Sequence, residues 1–257
     1  MSLRFEQHGA IGVLTLDRPD KLNAMSHEMG DALAAAVASL AGAPGLRCLL
    51  LRAEGRAFSA GGDLAFLEAN RARTEAENQA DMRSFYAKFL TIQDAPVPTI
   101  ALVQGRATGA GMCLALACDI RIAADDALLS FNFVRIGLTP GMGGTWTLPR
   151  LVGPSRAAEL AFTGRTVDAP EALVMGLVSR VVPGAELLAQ GLALAEAIGT
   201  ASPQAVRATR RLLAQAPGLS LGEALDREAA AQAVAFASDD LREGLSAVKE
   251  RRPPAFS

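Results

Sequence analysis

Two glycine-rich segments of this chain have the composition to hold developing negative charge. They are Phe58-Ser59-Ala60-Gly61-Gly62-Asp63-Leu64 and Gly105-Arg106-Ala107-Thr108-Gly109-Ala110-Gly111. Each follows an apolar run that reads as a strand, and each ends where a helix can start. Backbone N–H groups at a helix start lack intrahelical partners and sit at the positive end of the helix dipole. Two such donors converging on one carbonyl oxygen form an oxyanion hole. The spacing points to a carbonyl compound that becomes enolate-like, and says much less about which proton moves.

The elements around these corners read as follows. Leu3 to His8 and Ile11 to Leu16 form a hairpin around Gly9-Ala10. Ser26 caps a helix running to about Leu40, with Met29, Leu33, Ala36, Val37 and Leu40 on one face. Arg47 to Ala53 carries Cys48-Leu49-Leu50-Leu51, a buried-strand signal. Glu68 to Asp81 is polar and reads as mobile or solvent-facing, with a helix after it to about Gln93. Thr99 to Val103 and Asp119 to Ala123 are further strands, and Met112 to Ala117 is a helix apolar all round. Strand, glycine turn, helix and strand in repetition is the alternation of a parallel sheet with crossovers. Beyond Pro154 the chain turns rich in Ala, Leu and Glu. It has one short strand at Leu177 to Val182 and helices at Ala185 to Ile198, Pro203 to Ala214, Leu221 to Ala237 and Leu241 to Lys249.

Totals exclude several classes. The 257 residues are 50% hydrophobic and 20% charged with a net charge of −2, which gives no electrostatic footprint for nucleic acid or an anionic membrane. No apolar run approaches a membrane span, and no signal peptide is expected. Cys48, Cys113 and Cys118 are an odd, sparse set that suits buried thiols in a reducing cytoplasm rather than a disulfide framework. With His8 and His27 far upstream of the last two, no metal site is expected.

From end to end the chain resembles the crotonase (enoyl-CoA hydratase/isomerase) superfamily. The matching elements are Thr15-Leu16-Asp17-Arg18-Pro19 with Asn23-Ala24, the two glycine corners, and Cys118-Asp119-Ile120. Gly137-Leu138-Thr139-Pro140-Gly141-Met142-Gly143-Gly144-Thr145, Phe162-Thr163-Gly164, Glu171-Ala172 and Gly176-Leu177-Val178 complete the set. The resemblance implies an α/β fold, a spiral of ββα units over residues 1–195, and a helical C-terminal trimerisation region over 196–257. It implies a homo-trimer or hexamer that binds an acyl-CoA thioester, with no cofactor beyond the coenzyme A of the substrate. By position, the N–H groups of Ala60 and Ala110 hold the thioester oxygen, the family usually having Gly at the second. Lys21, Leu22, Ala24, Ala57, Phe58 and Leu64 lie near the CoA. Gly61, Gly62, Asp63 and Gly109 complete the corners. Arg251 and Phe256 match positions that reach a neighbouring subunit's nucleotide, although solvated charge is the plainer reading of Lys21 and Arg251.

The pattern breaks where the chemistry is usually done. Family hydratases place one glutamate where this chain has Cys113 and another where it has Phe133. Some isomerases use an aspartate where this chain has Gly141. Hydration needs a group to prepare water and one to protonate the α-carbon, and an apolar helix makes Cys113 a poor base. The remaining polar candidates have plainer roles: Asp63 caps its helix, Glu68 is solvated, Thr139 satisfies its own turn, and Arg135 serves a surface pair or trimer face. Asn132 is left without an assigned role. Phe131, Phe133, Met142 and Trp146 suggest an apolar acyl pocket, although a lone tryptophan is more often core. The readings are a hydratase/isomerase led by its oxyanion hole, an acyl-CoA-binding protein without turnover, and a hydrolase of the same fold. The lack of a positioned His or acid counts against the hydrolase.

Overall fold

The first strand alternates and the second does not. In β1 (Leu3–His8) every second residue turns to solvent, whereas β2 (Ile11–Leu16) is buried throughout. That is the difference between an edge strand and an interior one. The two form an antiparallel hairpin with Leu3 opposite Leu16. In the computed structural model, which describes residues 2–256, four parallel strands follow β2. They are β3 (Cys48–Ala53), β5 (Thr99–Val103), β7 (Ile120–Ala124) and β10 (Arg180–Val182). Leu49, Leu50 and Leu51 of β3 are fully buried, each burial stabilising by about 1.5–3 kcal/mol relative to exposure.

A second, smaller sheet was not legible in the sequence. Its order is β4 (Ala57–Ser59), β6 (Arg106–Thr108), β8 (Leu128–Ser130) and β9 (Thr166–Asp168), with only β9 antiparallel. Three times in succession the chain gives one strand to the larger sheet and the next to the smaller, then leaves through a helix. Those are the ββα units of the expected spiral. The departing helices are α2 (Leu64–Asn70) with α3 (Glu75–Leu90), then α4 (Ala110–Leu116), then α5 (Gly144–Val152) with α6 (Pro154–Thr163). The first helix, α1 (His27–Ser39), begins under the expected cap: the Ser26 hydroxyl accepts from the Met29 N–H.

The polar stretch from Glu68 to Asp81 is helical rather than loose. α3 starts at Glu75 under a complete capping box of Thr74 and Glu77, a signal present in the sequence. Its outward residues are solvent-facing as expected. Beyond α7 (Ala169–Met175), α8 (Leu187–Gly199) lies on the outer face of the larger sheet, with Leu187 and Ala195 in the same apolar cluster as Leu50, Ile100 and Leu102. The expected boundary after residue 195 thus falls inside a helix packed on the sheet. The helices that follow are α9 (Pro203–Gln215), α10 (Leu221–Phe236) and α11 (Asp239–Glu250). Arg210 fastens α9 to the core by donating to Asp119, Ala95 and Gln93, and Asp119 in turn accepts from Thr99. Among the described residues no helix is long and apolar enough to cross a membrane.

Candidate active site

The two glycine corners touch. β4 and β6 pair in parallel, with Ala57 beside Arg106 and Ser59 beside Ala107. A side chain at Gly61 would come within 2.7 Å of the Thr108 carbonyl and 3.6 Å of the Ala110 nitrogen. One at Gly111 would meet Ser59 at 2.6 Å. Glycine at both positions is what lets the corners approach so closely.

The approach is held from the side by Asn23, which is fully buried. Its amide donates to the carbonyls of Glu54 and Ala57, each at 2.9 Å, and its side-chain oxygen accepts from the Arg18 N–H at 2.8 Å. The Ser59 hydroxyl donates to the Asn23 carbonyl and accepts from the Gly61 N–H. Leu22 and Asn23 both take left-handed backbone conformations, with φ of 51° and 52°. That turn presses the Lys21–Ala24 loop onto the first corner.

This loop overturns one expectation. The Ala60 N–H donates to the Leu22 carbonyl at 2.9 Å, so it is not free for a ligand. Sequence reasoning could not see this, because the acceptor comes from 38 positions upstream. Among the described residues, the N–H groups of Gly62 and Ala110 have no acceptor, and neither do those of Leu64 and Gly111 in the first turns of α2 and α4; Gly62 and Ala110 are the two that sit at the corners themselves. Gly62 is bracketed by the bonds Met25 N–H to Gly61 O and Asp63 N–H to Met25 O. Ala110 is the first residue of α4, whose first ladder bond is made by Cys113 to Gly109.

Other expected residues sort by exposure. Lys21 and Leu64 are exposed beside the first corner, Leu22 and Ala24 are half-buried, and Ala57 is buried. Phe58 is fully buried and offers a ligand no side-chain surface, which corrects its expected place near CoA. Asp63 caps α2 by accepting from the Ala65 N–H and lies 3.5 Å from Arg18. Glu68 is exposed. Thr139 is exposed too, but among the described residues its hydroxyl makes no hydrogen bond, so the turn does not use it. Arg135 donates to the carbonyls of Thr163 and Gly164. Trp146 is 54% exposed, stacks under Arg150, and lines a separate cavity of about 900 Å³ between α5, α9 and the end of α4. No residue of either corner lines that cavity, so Trp146 is not a wall of this site. Arg251 is exposed, and the Phe256 carbonyl accepts from Arg47 at the start of β3, the end of that strand away from the corner.

Of the missing carboxylate positions, Cys113 lies one turn into α4, Gly141 packs against it, and Phe133 lies beside Gly109 just before that helix. Cys113 is buried, its Sγ lies 3.7 Å from the Gly141 carbonyl, and burial pushes its thiol up to about 12. It is therefore uncharged across the ordinary pH range. Phe133 stands edge-on to the buried Phe131 at 5.1 Å and lines the approach to Gly109. A residue that sequence reasoning missed sits here as well. The hydroxyl of Tyr86, from α3, lies 2.5 Å from where a side chain at Gly141 would begin. Its only sequence signal is that it is the single tyrosine in the chain.

Residues 6–257 match the enoyl-CoA hydratase/isomerase family profile. The chain belongs to that family. Within the enoyl-CoA hydratase/isomerase family it is similar to the crotonyl-CoA hydratase of Syntrophomonas wolfei, 34% identical over 98% of this chain and 96% of that protein. It is also similar to an enoyl-CoA isomerase/hydratase of Mycosarcoma maydis, 35% identical over 95% of this chain and 91% of the relative. The crystal structure of an enoyl-CoA hydratase from Polaromonas sp. JS666 superposes with a TM-score of 0.94 at 29% identity, covering 99% of both chains. Membership of the enoyl-CoA hydratase/isomerase family and the crotonase-type fold agree with the reading of the sequence.

Proposed function

We propose that this protein binds an acyl-CoA thioester and stabilises its enolate between the N–H groups of Gly62 and Ala110. The observation that carries the reading is the pair of unpaired backbone donors at two corners in contact, in a chain of the enoyl-CoA hydratase/isomerase family. Gly62 replaces Ala60 as the first donor because the Ala60 N–H is already used. The CoA lies along Lys21, Leu22, Ala24 and Leu64, with Asp63 and Gly109 shaping the floor. No cofactor other than the CoA of the substrate is invoked. Coenzyme A thioesters of fatty or aromatic acids suit the half-buried ring of Phe133 beside Gly109, whereas Phe131 and Met142 are buried behind it and offer a ligand no surface.

The test uses an enoyl-CoA whose conjugated chromophore shifts to longer wavelength when its thioester carbonyl is polarised. The wild-type protein should bind it and produce that shift. Ala110→Pro removes one donor at the first helical position, where proline is tolerated. Losing one such donor should cost about 10²–10³-fold in turnover, with circular dichroism unchanged. Binding without a shift would remove the oxyanion assignment, and no binding would remove the acyl-CoA reading.

The same proposal extends to assembly as a trimer or a hexamer. α10 has no buried residue in the single chain, and Leu221, Val234 and Phe236 are each more than 60% exposed. Such a face needs cover, and Arg251 and Phe256 then approach a neighbour's nucleotide. Light scattering should give a mass of three or six chains. A monomer at every concentration would refute both the assembly and the shared CoA site.

A further inference from the structure

The Tyr86 hydroxyl fills the space that Gly141 leaves open. Its Oη is 2.5 Å and its Cζ 2.9 Å from the position of a side chain at residue 141. Cys113 adjoins the same spot through the Gly141 carbonyl. Ala110 and Cys113 are three residues apart on α4, so they share one helix face about 5–6 Å apart. The phenol therefore neighbours Cys113, the residue one helical turn from the donor proposed for the thioester oxygen. The ring is half-buried against Phe85, and among the described residues the hydroxyl has no hydrogen-bond partner. Burial, and secondly the neighbouring Cys113, hold the phenol above its ordinary range, so it keeps its proton at neutral pH. A partnerless protonated hydroxyl beside Gly141, one of the emptied carboxylate positions, is a proton donor awaiting an acceptor.

We propose that Tyr86 is the proton-handling group of this chain, in place of the carboxylates absent at residues 113, 133 and 141. The inference rests on the thioester reading above. In hydration, water oxygen bonds to the β-carbon and the π pair moves toward the thioester, giving the enolate held by Gly62 and Ala110. The phenol O–H breaks and its proton forms the new C–H bond at the α-carbon. The proton lost by the added water returns to the phenolate. One molecule of water is added and Tyr86 ends as it began.

Tyr86→Phe keeps the ring and removes only the hydroxyl. Its hydration turnover number should fall about 10²–10⁴-fold, with KM and the bound chromophore's shift preserved. Exchange of the α-protons of butyryl-CoA in D₂O should fall in parallel. Because the chain has one tyrosine, biosynthetic 3-fluorotyrosine labels position 86 alone, and its ¹⁹F resonance should move when butyryl-CoA binds. Turnover of Tyr86→Phe within about threefold of wild type, or a ¹⁹F resonance unmoved at saturating butyryl-CoA, would overturn the proposal. So would a wild-type protein that shifts the chromophore yet neither hydrates nor exchanges. If the chromophore never binds, the acyl-CoA reading fails first and takes this one with it.

Discussion

Installing Cys113→Glu together with Phe133→Glu is expected to raise hydration of a short trans-2-enoyl-CoA by about 10²-fold or more, the scale of general acid–base assistance. The present thiol is neutral because burial holds it at about 12, and a phenylalanine ring cannot orient water. Each replacement alone should achieve much less, since a water-preparing pair acts as a unit. Burial lifts both new carboxyl pKa values above the usual value of about 4.3 for glutamate. The base form is then lost as pH falls through that raised value, so the gain should grow from acid to neutral pH. Stability runs the other way. A carboxyl with a raised folded-state pKa is best tolerated below its unfolded pKa, and it destabilises increasingly as pH rises toward the folded value. Loss of the conjugated thioester absorbance and thermal melts, both across a pH series, read the two trends. Wild-type hydration as fast as that of the double variant would show that the empty positions do not limit the rate.

Gly111→Ala is expected to cost about 10²-fold in kcat/KM, the effect of an ångström-scale misplacement in an active site. The added methyl meets Ser59 at its Cβ, Oγ and carbonyl oxygen, at 2.6–2.7 Å. The carbonyl belongs to the backbone of β4 and cannot rotate away, so α4 must retreat and carry the Ala110 N–H away from the first corner. Overpacking of this kind costs about 1–3 kcal/mol. For a chain of this size that lowers the melting midpoint by roughly 2–12 °C. Gly42→Ala is the control, because a side chain there meets nothing within 4 Å and the residue has no positive φ. A Gly111→Ala protein with wild-type kinetics would mean that corner spacing does not set the oxyanion geometry.

The parts of the fold legible in the sequence are those with long, uninterrupted patterns. The hairpin of β1 and β2 and the strand Thr99–Val103 fall where alternation and apolar runs put them. α10 starts at the expected Leu221, and α11 starts at Asp239, two residues before the expected Leu241. The smaller sheet was illegible because each of its strands has three residues, too few for a period to show. At the site, residue types located the two corners but could not decide which N–H each leaves free. That depends on Leu22 folding over Ala60. Tyr86 was missed for a related reason. Its helix reads only as the continuation of a polar stretch, and tertiary packing alone carries the hydroxyl to the empty side of Gly141.

The order of the two sheets has a consequence for the chain during synthesis. The corners come from residues 57–64 and 105–111, yet β8, which supports the second, is covered only when Thr166–Asp168 arrives as β9. The larger sheet likewise waits for Arg180–Val182. A nascent chain halted before residue 166 therefore presents an open strand edge beside a half-built site, the kind of edge that recruits other chains. Ribosomal pausing in that interval, or a frameshift ending there, should yield aggregate rather than a slow enzyme, whereas interruption after α8 leaves both sheets complete.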